Sequence, residues 1–207
     1  MKPSNLNSSQ AAIGCCLIIS FLGVLIYANH LNNPFQFDSV PYITNNAKLK
    51  NPEILLTPGF LQKEFIHRGL LRISIALNVH LNGFKPFGFH LLSLALHILN
   101  ALLLFFIFEK SFQRFRLSAL GWGNKKIRSI SFFAALLFLC HPIQTESVIY
   151  IMSRSEVMAS TFYLVGFLLF QQLLEFAITP QGPVKYQRII QRPCAPHQYP
   201  QLKRLVF

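Results

Sequence analysis

Acidic residues are scarce in this 207-residue chain. There are seven against nineteen lysines and arginines, and charged residues of both signs make up only 13% of it. A soluble globular domain carries about 25% charged residues, so a single soluble core is a poor description. The shortage is uneven: long stretches have no charge, and the charges gather between them. A charge in hydrocarbon costs at least about 2.5 kcal/mol, which gives membrane proteins this distribution. The chain also has little tryptophan and few cysteines. Cys15, Cys16, Cys140 and Cys194 show no C-x-x-C or other metal-ligand spacing, so they read as small apolar residues, expected to be buried. Aspartate occurs once, at Asp38.

What is abundant is phenylalanine, leucine and positive charge. The net charge of +12 does not point to nucleic acid. The basic residues flank apolar runs instead of lining a helix that could read a groove, and positive flanks are ordinary in membrane topology.

Residues 11–28 form an uncharged run, long enough to span a bilayer, which takes about 17 to 25 residues. A cleaved signal peptide has a shorter core and a small-x-small site behind it. Tyr27-Ala28-Asn29 is a poor one, so an uncleaved first helix is expected. Further spans are expected at about 87–108, 130–151 and 157–174. Pro142 breaks or kinks the third. The expectation is an all-α, multi-pass bundle of about four spans. Its membrane domain covers 1–178, followed by a basic, proline-rich tail at 179–207 read as disordered.

The first inter-span loop, 29–86, is long and rich in turn formers such as Asn33-Pro34 and Pro58-Gly59. Its later half, Phe60 to Val79, alternates apolar residues with Lys63, Glu64, His67, Arg68 and Arg72. That pattern reads as an amphipathic helix at the interface. The 109–130 loop is short and basic, with Lys110, Arg114, Arg116, Lys125, Lys126 and Arg128, and is the strongest cytoplasmic marker. Both chain ends are then cytoplasmic, and Asp38 and Glu146 share the opposite face.

Two features bear on chemistry. In the second span His90, Ser93, His97 and Asn100 recur at spacings of 3, 4 and 3. They form one polar stripe, which faces other helices or a wet cavity. Interhelical hydrogen bonding is the simpler role for it, direct catalysis the other. Asp38 and Glu146 are carboxylates at a membrane surface, suited to act as a general base or to bind a cation. A solvated loop acid is the plain alternative for each.

Several strings together resemble a known family. Asn33-Pro34-Phe35-Gln36-Phe37-Asp38 resembles the acidic motif in the first outer loop of GT-C-class glycosyltransferases. Arg68-Gly69-Leu70 with Ser74 and Leu77-Asn78 is similar to R-P-L-x-x-x-S-x-x-L-N. Pro86-Phe87-Gly88-Phe89-His90-Leu91 and Leu96-His97-Ile98-Leu99-Asn100-Ala101 resemble P-x-G-[YF]-H-L and L-H-x-x-N-A. His141-Pro142-Ile143-Gln144-Thr145-Glu146 is similar to H-P-x-x-T-E, and Ser153-Arg154-Ser155-Glu156 to G-R-x-[DE]. In this order they resemble the amino-terminal membrane part of protein O-mannosyltransferases with tetratricopeptide repeats, and of their bacterial relatives.

The resemblance implies transfer of a mannose-like sugar from a polyprenyl-phosphate donor to a protein or glycan hydroxyl, at the non-cytoplasmic face of a bacterial inner membrane or the endoplasmic reticulum. Asp38 would be the base and Glu146 its assistant. Arg154 would contact the lipid phosphate, and His90, His97 and His141 are further candidate substrate contacts. A phosphate leaving group is helped by a nearby cation, which leaves open a divalent metal ion, though no metal-ligand set is evident. The sequence also departs from the family. Ser39 stands where a second acid is usual, the helices are fewer, and no repeats follow. The chain is therefore expected to be inactive alone. The alternative is a catalytically inactive membrane fragment that only binds a partner or serves structurally.

Overall fold

A computed structural model describes residues 5–47, 49–50, 57–59, 68–114 and 121–178. The tail at 179–207, with Cys194, and the Lys63–Glu64–His67 part of the expected amphipathic helix lie outside the described residues. All regular structure among the described residues is helical: α1 (Asn5–Tyr27), α2 (Gly69–Asn82), α3 (Pro86–Arg114), α4 (Asn124–Cys140), α5 (Gln144–Ile149) and α6 (Arg154–Ile178). This is the expected all-α membrane class. Three stretches, Ser9–His30, Pro86–Arg114 and Ile151–Ala177, are helical, long and apolar enough to cross a membrane.

The stretch expected as a span at 130–151 is built differently. Its helix starts earlier, at Asn124, and stops after 17 residues at Cys140. Pro142 is the physical reason. A residue before proline is pushed out of helical geometry, and His141 is extended at φ −66°, ψ 127°. The chain then turns through the short α5 into a 3₁₀ turn at Ile151–Ser153.

Helices α1, α3 and α4 pack through an apolar cluster. Ile19 of α1, Ala101 and Phe105 of α3, and Ala135 and Leu139 of α4 are its buried members. Gly23 lets α1 approach closely: a Cβ there would come within 2.7 Å of Ile98 Cγ1 and 3.4 Å of a Leu139 methyl carbon. Small residues do this at membrane helix interfaces. The far side of α1 exposes Ile13, Leu17, Phe21 and Leu25 at four-residue spacing, as a lipid-facing stripe would. The cysteines are less buried than expected: Cys15 and Cys16 are half-buried and Cys140 is exposed.

At 29 residues α3 is about 43 Å long, so it outreaches a hydrocarbon core of about 30 Å. Its far end pairs with the start of α4, where Arg128 Nε donates to Glu109 Oε1 at 2.8 Å. Lys126 lies 4.4 Å from the centre of the Trp122 ring at the same end. The opposite end carries the loop after α1, whose Ile43 and Leu49 pack on Leu71, Ile75 and Val79 of α2 and on Phe89 of α3. In α2 the buried face includes Ser74 and Asn78, while Leu70, Leu77 and Leu81 point outward. That arrangement suits a helix lying against lipid, not one half-wetted by water. The long α6 starts in the unit that ends at Gly166. A second unit begins at Phe167, and its described residues, 167–178, are a helical stretch exposing Phe167, Leu169, Phe170, Leu173 and Phe176.

Candidate functional site

The polar stripe of α3 is turned inward. His90, Ser93, His97 and Asn100 are all buried, and each serves a different part of the chain. His90 Nε2 lies 3.1 Å from the Asn33 carbonyl in the outer loop, so that nitrogen carries the proton and Nδ1 is left as an acceptor. His97 Nε2 meets the Leu139 carbonyl at 3.3 Å, and Tyr27 Oη donates to the same oxygen at 3.3 Å. Leu139 sits in the last turn of α4, where helix carbonyls lose their intrahelical partners. Two side chains from α1 and α3 thus cap a helix that Pro142 cut short. Asn100 Nδ2 donates to the Val157 carbonyl of α6 at 3.1 Å. His97 and Asn100 are engaged in holding helices together.

Ser93 belongs to a second constellation, centred on Arg154. This guanidinium is fully buried. Nε donates to Ser93 Oγ at 3.3 Å, Nη1 to Ser74 Oγ at 3.1 Å and Asn78 Oδ1 at 2.9 Å, and Nη2 to the Phe89 carbonyl at 2.9 Å. The group also lies 5.7 Å from the Phe89 ring centre. The acceptors are supported in turn: Ser74 Oγ donates to the Leu71 carbonyl and Asn78 Nδ2 to the Gly88 carbonyl. Here a cation is dissolved in neutral acceptors from α2 and α3. Four of its five N–H donors are spent inside the protein.

The outer corner is different. Phe37 has φ +49°, a left-handed conformation that is a real outlier for a bulky residue. It is 80% exposed, with its ring edge-on to Tyr150 at 6.1 Å. Asp38 follows, also exposed. Its carboxylate interacts with the Tyr150 phenol, whose pKa is raised first by partial burial and then by this neighbouring acceptor and its negative charge. Arg68 is close enough to act on Tyr150 in the opposite sense. The next residue, Ser39, is buried, and its Oγ has no hydrogen-bond partner among the described residues; His90 Nδ1 is in the same state. Both residues line one narrow crevice, too tight to hold a water molecule, walled also by Pro34, Gln36 and Tyr150.

The other candidates sit nearby without joining this group. Glu146 is exposed in the first turn of α5, one turn before Tyr150, whose N–H donates to its carbonyl at 2.9 Å. No contact between Glu146 and Asp38 is present among the described residues. His141 Nδ1 accepts from the Ile143 N–H at 3.2 Å and so shapes the turn after α4. No three His, Cys, Asp or Glu side chains converge as a metal set among the described residues; Arg68 is a positive charge that acts on Tyr150, the neighbour of Asp38. Tyr150 is a site member that no motif covered, and Arg68 headed a family-like string without being given a role. Only Tyr150's position four residues after Glu146 hinted at its role.

Proteins of known name share this arrangement of sequence. Human protein O-mannosyl-transferase TMTC1 is 29% identical over 177 residues, 80% of this chain. Mouse protein O-mannosyl-transferase TMTC2 is 33% identical over 165 residues, 73% of the chain. The chain resembles the protein O-mannosyl-transferases. Drosophila melanogaster protein O-mannosyl-transferase Tmtc3 adds 28% identity over 180 residues, 78% of the chain. The chain spans about a fifth of the length of these O-mannosyl-transferases: 19%, 18% and 19%. No family model and no solved structure matches it. The likeness noted from scattered strings therefore extends over most of the chain.

Proposed function

We propose that the chain is the part of a membrane glycosyltransferase that presents the catalytic base. It transfers a mannose-like sugar from a polyprenyl-phosphate donor to an acceptor hydroxyl at the non-cytoplasmic face. The observation that carries this is the Asp38 corner: an exposed carboxylate set by a strained Phe37, beside a phenol, with a guanidinium in electrostatic reach. A carboxylate within reach of a hydroxyl can take its proton as the oxygen bonds to the sugar's anomeric carbon. The bond from that carbon to the phosphate oxygen breaks, and the phosphate leaves with its electron pair, stabilised by the cation.

In this reading α1, α3, α4 and α6 each cross the membrane, and both chain ends are cytoplasmic. The positive-inside rule and the Glu109–Arg128 pair at one end of α3, with Asp38 and Tyr150 beyond the other, support that orientation. Cysteine labelling checks it: positions 38 and 146 should react from outside and position 125 from inside. Reaction of 38 and 125 from the same side would overturn it.

A second reading is that the chain only binds a partner. Ser39 favours it, because a buried unpartnered hydroxyl stands where an adjacent acid would. Membranes containing the chain, or a longer parent, assayed with radiolabelled polyprenyl-phosphate mannose decide between them. Transfer that vanishes in Asp38→Asn supports the enzyme. Transfer retained in that variant removes Asp38 as the base.

A further inference from the structure

The imidazole of His90 faces two ways from the start of α3. Nε2 donates to the Asn33 carbonyl at 3.1 Å, so Nδ1 carries no proton and can only accept. Nδ1 is buried and has no donor among the described residues. Ser39 is 1% exposed, and its hydroxyl is in the same state. One orphan is an acceptor and the other can donate, so the two are complementary.

They also share one crevice, and it has no room for a water molecule. A sugar hydroxyl or a phosphate oxygen is no smaller. Among the described residues no other wall of the crevice suits them. Ile149 and Ile151 have apolar side chains, Gln36 is exposed and can turn its amide to water, and the Tyr150 phenol is engaged with Asp38. Stranding buried polar groups is costly. A bond from Ser39 Oγ to His90 Nδ1 removes both costs and displaces no solvent.

Between Asn33 and Ser39 runs the strap that carries Asp38. Its middle rests on α3 as well, with the Phe35 ring edge-on to Phe89 at 5.3 Å between centres. Phe37 then turns outward at φ +49°. The Ser39 N–H returns to the Gln36 carbonyl at 3.0 Å. Gln36, Phe37, Asp38 and Val40 are exposed, and Ser39 alone among them is drawn back into the protein.

We infer that His90 is the positioning residue of Asp38: one imidazole clamps both ends of the strap, with Nε2 on the Asn33 carbonyl and Nδ1 taking the Ser39 hydroxyl. The clamp refers an exposed loop carboxylate to a long packed helix, and a reacting group gains most when its support is rigid. His90 then acts on the reaction only through the loop. That the carboxylate so placed is a base rests on the glycosyltransferase reading; the clamp does not.

Nitrogen NMR of the full chain in lipid bilayers, with isotope-labelled histidine, tests the bond directly. The unprotonated His90 nitrogen is the signal missing from His90→Gln. It should lie at a hydrogen-bonded position in the parent chain and move to the free position in Ser39→Ala. Ser39→Thr keeps the hydroxyl and should hold the signal near the parent's. Detergent size-exclusion profiles show whether the added methyl is tolerated, and Ser39→Ala carries the test if it is not. A signal already free in the parent, or unmoved by Ser39→Ala, would overturn the clamp. The Tyr150 titration reports where Asp38 lies. Ser39→Ala should shift it part of the way towards its position in Asp38→Asn, and no shift would overturn the positioning role. In a full-length parent Ser39→Ala should lower kcat for sugar transfer about fivefold, the loss of one neutral hydrogen bond, with KM for donor and acceptor unchanged. A raised KM at constant kcat would make the pair a substrate contact and overturn the inference. A parent that transfers no sugar, with the nitrogen and phenol signals as expected, would remove the catalytic reading and leave the clamp standing.

Discussion

Two arginines that lie near the same helices do opposite things. Arg154 is enclosed, its donors divided among two serines, an asparagine and a carbonyl. Arg68 is open, on a strained backbone at the mouth of an apolar groove. Around each the chain follows suit. The Arg154 knot has its polar groups paired, whereas the Asp38 corner keeps an outlier backbone at Phe37 and unpartnered atoms at Ser39 and His90. A buried charge without its partners is costly, so the knot is where the fold is fixed. Strain and unmet hydrogen-bonding capacity thus meet at the outer corner, while Asn100 Oδ1, buried where α3 meets α6, is the unpartnered atom of the helix interface.

The contrast makes Arg154 the most damaging position to change for stability. Arg154→Leu leaves Ser74, Asn78, Ser93 and the Phe89 carbonyl to find new partners. At about 1–3 kcal/mol for each stranded group, the loss should exceed about 3 kcal/mol, and the protein should lose its folded peak in thermal size-exclusion profiles. Arg154→Lys should fall between, since an ammonium lacks the planar fork. Should Arg154→Leu keep a wild-type melting profile while abolishing transfer, the enclosed arginine would be a substrate group after all and the contrast would collapse.

At the open corner the expectation reverses. Asp38→Asn should abolish sugar transfer by a full-length parent, with a change in stability of at most about 0.5 kcal/mol, as for exposed sites in general. Phe37→Gly sharpens the point. Glycine removes a left-handed strain of about 1–2 kcal/mol and forfeits a ring contact of about 0.5–1.5 kcal/mol. Stability should barely move or rise slightly, while transfer falls because Asp38 is no longer held in place. Transfer unchanged in Phe37→Gly would mean that the strain has no part in presenting the carboxylate.

The capped end of α4 offers a milder comparison within one helix. His97→Leu removes a donor from the Leu139 carbonyl and contacts to Tyr27 and Phe138. It should lower the melting midpoint by more than Leu99→Ala, because Leu99 is 41% exposed. Tyr27 still donates to the same carbonyl, so the cost should stay near about 1–2 kcal/mol. Equal tolerance at both positions would show that the cap is redundant.

Some of this was written plainly in the sequence. Charge-free runs located α1, α3 and α6, because hydrocarbon excludes charge whatever the tertiary fold. The 3-4-3 spacing of His90, Ser93, His97 and Asn100 identified a buried face, because helical periodicity is local. Pro142 announced a break, although not that the helix before it begins as early as Asn124. What stayed hidden depends on distant residues. Arg154 looks like an available cation until Ser74 and Asn78, 80 and 76 positions away, fold onto it. Arg68 looked like one of several charges on an amphipathic helix; its groove exists only once α6 lies alongside. Tyr150 carries no motif, and its approach to Asp38 follows from the turn after Pro142.

The smallest expected effect lies at Tyr150, and it reports on how Asp38 and Arg68 share one site. Partial burial and the Asp38 carboxylate raise the phenol's pKa, and Arg68 opposes them more weakly. An acid whose folded pKa is raised favours its protonated form. The stabilisation is present below the ordinary phenol pKa and is lost as pH rises through the elevated one. Across neutral pH the phenol thus stays protonated beside Asp38. Tyrosinate absorbance, taken as the difference between the parent chain and Tyr150→Phe, should show this residue titrating above the ordinary phenol range. In Asp38→Asn the titration should move down towards that range, and in Arg68→Ala it should move further up. The two shifts have opposite signs because one variant removes a negative neighbour and the other a positive one. A titration that ignores Asp38→Asn would mean the carboxylate is not at the phenol. One that ignores Arg68→Ala would mean that Arg68 is too remote to act on the Asp38 corner at all.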